Sequence, residues 1–164
     1  ENTAGLITTL NTQTQRGTYP FTQILITPQN NTVVIEAKGK TKRSINELRN
    51  NGDALICDTD NSYWDGDPIS RFIFDDIFVH FENESAICFS KDAADYDVTG
   101  EIVDNENNPL QTNNGVPTTN YLIFCTSRDN CGITPERPAY MVVWSRFGNV
   151  SKFKYNSNNQ WIMQ

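Results

Sequence analysis

The chain has 164 residues, enough for one domain that buries a sizeable core without many staples. Its net charge of −7 and pI near 4.6 argue against a nucleic-acid binder, whose affinity rests on a basic footprint. A hydrophobic share of 37% and a mean hydropathy of −0.54 describe a hydrophilic chain, yet nine Phe, six Tyr and three Trp in alternating runs exclude a disordered one.

Residues 3–16, TAGLITTLNTQTQR, predict a short helix: Leu6, Ile7 and Leu10 share a face, Thr3 can cap it and Gly17 can stop it. Such a stretch is marginal alone, so it is expected to be the end of a longer helix that begins upstream. No signal peptide or apolar membrane-spanning run is present. From Thr22 the pattern turns to β: TQILIT and TVVIEA are β-branched runs joined by PQNN, a hairpin signal. SINELRNNG (44–52) carries a serine cap and a closing glycine and predicts a helical turn or two. ALIC (54–57) predicts a short strand.

The acidic stretch CDTDNSYWDGDP (57–68) follows. Asp58, Asp60 and Ser62 fit the first liganding positions of an EF-type calcium loop, but Tyr63 stands at the glycine position and Ile69 at that of the bidentate glutamate. A looser calcium loop built on Asp58, Asp60, Asp65 and Asp67 is the functional reading, and a solvated turn beside Cys57 is the simpler one. The expectation is no metal ligand here and no cofactor.

RFIFDDIFVHF (71–81) alternates with Phe72 and Phe74 on one face, then Ile77, Val79 and Phe81 on the other parity. The phase shift at Asp75-Asp76 predicts a bulge or a sharp bend. SAICFS (85–90) predicts a strand in hairpin with it, VTGEIVD (98–104) a weak strand, and 105–120 a long turn-rich loop. YLIFCT, AYMVVWS, NVSKFKY and QWIM predict a closing meander, with turns at RFG and NSNN.

The cysteines are Cys57, Cys88, Cys125 and Cys131. None is spaced CxxC, and a lone His80 makes zinc a poor fit. An even count in a polar chain predicts two disulfides and an oxidising compartment. Three pairings are possible. Cys125–Cys131 is favoured as a tight local clasp, which leaves Cys57–Cys88.

Catalytic signatures are missing. There is no GxSxG elbow, P-loop or GxGxxG, and disulfide pairing removes a cysteine nucleophile near His80. Asp75-Asp76 and Asp92/Asp95 are acids without the arrangement that glycoside hydrolysis requires. No catalytic residue is assigned and no enzyme is expected. The sequons at Asn30, Asn83 and Asn149 match what an Asn-, Ser- and Thr-rich chain yields by chance.

The segments ICFSKDAAD (87–95), YLIFCTSRDNC (121–131) and PAYMVVWSRFGNVSKFKY (138–155) together resemble the C-terminal β-region of H-type pseudopilins and FimT/FimU-type minor pilins. In that family a strand leads to a cysteine, and a further strand, a glycine turn and a last strand follow. The matching stretch runs Val142-Val143-Trp144-Ser145-Arg146-Phe147-Gly148-Asn149-Val150-Ser151. The resemblance implies an α+β fold, with residues 1–17 the end of an N-terminal helix packed on antiparallel sheet formed by 22–164, in a single domain 1–164. It implies a structural subunit of a type IV pilus or type II secretion filament, tied to the inner membrane by the upstream helix. Its partners would be other minor pilins or pseudopilins and the major pilin, in the periplasm and then in a filament. Some FimT-like members bind DNA through a basic C-terminal stretch. Here Asn149 and Ser151 occupy the arginine positions and only Lys152 and Lys154 are basic nearby, so no nucleic-acid partner is expected. The alternative is a secreted carbohydrate- or surface-binding β-sandwich module, with Tyr63, Trp64 and Trp144 as a sugar platform, although core or interface packing is the simpler reading of these three aromatics.

Overall fold

The computed structural model describes residues 5, 19–57, 59–66, 68–90, 102–103, 121–144 and 150–164. They form two five-stranded antiparallel sheets. The first contains β1 (Phe21–Gln29), β2 (Thr32–Lys40), β3 (Ser70–Asp75), β5 (Ser85–Ser90) and β6 (Ile102–Val103), in the order β3-β2-β1-β5-β6. The second contains β4 (Phe78–Val79), β7 (Tyr121–Cys125), β8 (Ala139–Trp144), β9 (Val150–Tyr155) and β10 (Trp161–Met163), in the order β10-β9-β8-β7-β4.

The expected α+β fold, a helix remnant packed on sheet, is corrected by this arrangement. The described chain is a β-rich two-sheet sandwich. Its helix α1 (Lys42–Asn50) is a nine-residue excursion between β2 and β3. The physical reason lies in the alternation itself, which supplies apolar faces for two sheets rather than one. The predicted helix at 1–17 lies outside the described residues, apart from Gly5. Among the described residues no helix is long and apolar enough to cross a membrane.

The β1–β2 hairpin forms as expected, with Gln29 opposite Thr32 and Ile26 opposite Ile35. Asn30 takes the left-handed conformation, φ 44°, that Asn tolerates in a tight turn. Period-two alternation puts Ile24, Ile26, Val33, Ile35 and Ala37 on one face. There they meet Leu122, Val142 and Trp144 of the second sheet and form the larger core. The opposite face of β1 carries Phe21 and Leu25, which pack with Ile45 of α1 and with Leu55, Cys57 and Trp64 of the segment after it. β1 is therefore buried on both faces over Phe21–Ile26.

The phase shift at Asp75-Asp76 is the point where the chain changes sheets. β3 pairs with β2, whereas β4 pairs with β7 in the second sheet. Asp76 takes φ 55° at the bend. Phe72 and Phe74 keep a common face and pack on the main core. The hairpin expected between 71–81 and 85–90 does not form: β5 pairs with β1, Ile87 opposite Ile24. Once Phe78-Val79 has entered the other sheet, the edge of β1 is left for β5. The strand expected at ALIC is also absent, and Leu55 and Cys57 serve as plugs over the first sheet. The meander β7–β10 is as predicted. The NSNN turn is held by Asn156 Oδ1, which accepts from the Asn158 and Gln160 amides at 2.9 Å each. The RFG turn, residues 105–120 and most of 98–104 lie outside the described residues.

His80 follows β4 and is stacked on Tyr121, ring centroids 5.3 Å apart. Its Nδ1 accepts from the Ile123 amide at 3.1 Å, so the ring proton of the neutral form sits on Nε2. Nε2 is buried with no hydrogen-bond partner among the described residues. Burial pushes the His80 pKa down to about 4. The unfolded chain binds a proton near pH 6.5 and the folded chain does not, so stability is full above that pH and falls as the pH drops from 6.5 towards 4. The loss should reach the order of 2–3 kcal/mol. Urea unfolding at pH 7 and pH 4.5 should show that difference against His80→Gln. Parallel curves for the two proteins would refute it.

Candidate functional site

The acidic stretch begins at Cys57, which is disulfide-bonded to Cys88 on β5, Cα–Cα 5.7 Å. The second disulfide joins Cys125 at the end of β7 to Cys131 in the following loop. No cysteine is free, so none is available as a nucleophile. The pairing expected from spacing is the one observed.

Two of its aspartates, Asp60 and Asp65, act as local anchors. Asp65 accepts from the Thr41 amide through Oδ2 and from the Ser44 hydroxyl through Oδ1, both at 2.8 Å. Thr41 is the N-cap of α1, and its own Oγ1 accepts from the Ser44 amide. Asp65 thus fastens the acidic stretch to the start of the helix. Burial pushes its pKa up, but the Thr41 and Ser44 hydrogen bonds, with the charge of Lys40, outweigh burial and hold it below the usual carboxylate value. That contribution is present at neutral pH and is lost as the pH falls through the carboxylate range. Asp65→Ala leaves two donors without their acceptor and should cost about 1–3 kcal/mol at pH 7. Thermal unfolding of the variant checks this, and an unchanged melting temperature would contradict it.

Asp60 accepts from the Ser62 amide at 2.9 Å, closing an Asx-type turn, and this contact with the Ser62 hydroxyl lowers its pKa. Asp58 and Asp67 lie outside the described residues. Among the described residues no group of three or more His, Cys, Asp or Glu could hold a metal ion. Asp60 and Asp65 both accept hydrogen bonds from the protein itself.

The alternative sugar platform does not form, and core packing, the simpler reading of these aromatics, holds for both tryptophans. Trp64 is 5% exposed and stacks on Phe21 at 5.1 Å, beneath α1 and the acidic stretch. Trp144 is 2% exposed and sits in the other core, between the sheets. The two indoles therefore lie on opposite sides of the first sheet. Tyr63 is half-buried: its hydroxyl accepts from the Ile56 amide at 3.1 Å, and Lys40 Nζ lies 4.2 Å from its ring centre. Burying these two large side chains removes much apolar area from water, which favours their place in the cores.

Asp75 and Asp76 are exposed at the sheet-switching bend, Asp92 and Asp95 lie outside the described residues, and His80 is enclosed among aromatic rings. Among the described residues Asp75, Asp76 and His80 assemble no catalytic constellation. Asn30 and Asn83 are exposed, and Asn149 is outside the described residues.

Two features had no signal in the sequence. Lys38 is 4% exposed, and its Nζ is buried with no hydrogen-bond partner among the described residues. The second feature is the edge of the second sheet at β10, unpaired among the described residues. β10 ends that sheet, and a groove of about 410 Å3 opens beside it, lined by Arg137, Pro138, Lys154, Tyr155, Ile162 and Gln164 with Asn156 and Ser157. Lys154 also lies over the exposed ring of Tyr140, 5.9 Å from its centre. Comparison of the chain with protein-family models, curated proteins and solved structures finds no match.

Proposed function

We propose that this protein is a non-enzymatic subunit of the minor pilin or pseudopilin type, contributing to a tip or priming complex of a type IV pilus or type II secretion filament. The observation that carries the reading is the meander β7–β10, a run of sequential antiparallel hairpins over the segment whose sequence resembles that family. Two disulfides fit an oxidising compartment such as the periplasm or cell surface. Asp60 and Asp65 serve as anchors, His80 is packed between aromatic rings, and all four cysteines are cross-linked. A protein of this kind works through surface contact, with other pilin-like subunits as partners.

The second reading, a secreted surface-binding module, draws on the two-sheet architecture, but the indoles that would have bound sugar are inside the cores. The gene upstream of Glu1 separates the two. A Gly-Phe/Met-Thr-Leu-x-Glu processing motif followed by about twenty apolar residues is expected of the pilin type. An ordinary cleaved signal peptide would overturn it in favour of the binding module.

A further inference from the structure

The free edge of the second sheet has a defined hydrogen-bonding register. The Asn156 amide donates to the Gln160 carbonyl and the Gln164 amide donates to the Lys152 carbonyl, both at 2.9 Å. In the same register Ile162 lies opposite Lys154. These are alternate positions of an antiparallel ladder, so the intervening residues of β10, Trp161 and Met163, turn their backbone N–H and C=O groups away from β9. Among the described residues no strand pairs with this edge of β10, and Ile162 is 47% and Met163 62% exposed. Proteins blunt such edges with charged side chains on the edge strand, and Trp161, Ile162 and Met163 carry none.

The charges stand next to the edge instead. Arg137 and Lys154 line the adjoining groove, and no acidic side chain does. In a chain of net charge −7 this is a local reversal of sign. It disfavours a second copy pairing β10 with β10, because a two-fold contact of that kind brings each cationic groove towards its symmetry mate. It favours an occupant that is extended, apolar on one side and acidic.

We propose that β10 is a docking edge that takes one extended strand from a partner protein, adding it to the second sheet, with an acidic side chain of that strand reaching Arg137 and Lys154. The backbone groups of Trp161 and Met163 supply pairing, Ile162 and Met163 supply apolar contact, and the two cations select the sequence. The inference stands apart from the pilin reading, since either kind of protein could use such an edge.

The test uses a fluorescent peptide of about eight residues, alternating Val and Thr around a central Asp, measured by anisotropy on the whole chain. The Asp peptide should bind saturably, and the same peptide with Lys in place of Asp should bind about tenfold more weakly or not at all. Arg137→Glu with Lys154→Glu should reverse that order. Met163→Pro deletes an outward N–H without removing a bond to β9, and should weaken binding about tenfold at an unchanged fold. If Met163→Pro perturbs folding, the charge-reversal pair still decides. No saturable binding of the Asp peptide, equal binding of the Asp and Lys peptides, or self-association abolished by Met163→Pro would each overturn the proposal.

Discussion

Replacing Cys57 and Cys88 by alanine should lower the unfolding free energy by about 3–4 kcal/mol, and replacing Cys125 and Cys131 by only about 2. The difference comes from loop length: the first bridge spans 31 positions and the second 6, and a longer closed loop restricts the unfolded chain more. The first bridge also has more structure hanging on it. Cys57 and Cys88 sit inside the cluster that contains Phe21, Leu25, Ile45 and Trp64, so opening the bridge releases the segment that covers the first sheet. Urea unfolding of the two double variants measures both values. An equal or larger cost for the shorter bridge would contradict this account.

Trp144→Ala should cost about 3–5 kcal/mol, the range for deleting a large buried aromatic side chain. Trp144 is the largest of the side chains that are almost wholly buried. It lies at the end of β8 among residues of both sheets, with Ile24, Ile35 and Phe89 from the first and Leu122 and Val142 from the second. The cavity left by alanine cannot close without shifting one sheet against the other, so relaxation is limited. Ile162→Ala at the exposed edge is the matching control and should change stability by less than about 0.5 kcal/mol. A loss at Trp144 no larger than at Ile162 would mean that the sheets do not share this core.

Local features of the sequence announced their structures where the signal was local. PQNN between two alternating runs became the β1–β2 hairpin, and Thr41, three residues upstream of the expected serine cap at Ser44, became the N-cap of the foreseen helix. The five residues between Cys125 and Cys131 made a clasp, which fixed the other pairing by elimination. The break of phase at Asp75-Asp76 was visible, but its meaning was not: alternation says which residues share a face, and nothing about which sheet that face belongs to. The partner of β5 was missed for the same reason, because pairing with β1 links residues far apart in the chain. Core or interface packing was the simpler reading of Trp64, and it holds although NSYWDG has the composition of a wet loop, because the fold places Phe21 beneath the indole. The weight given to an N-terminal helix led to the α+β expectation, while the strands themselves held enough apolar faces for a sandwich.

The reading of this chain as an assembly subunit is tested most directly in the native producer. Surface filaments sheared from wild-type cells and from a strain lacking this gene should be compared by quantitative mass spectrometry. Peptides of this chain should appear in the wild-type filaments at far lower abundance than the main subunit, and filament yield should fall in the deletion strain. Recovery of the chain only as free protein, with filament yield unchanged by the deletion, would contradict the account.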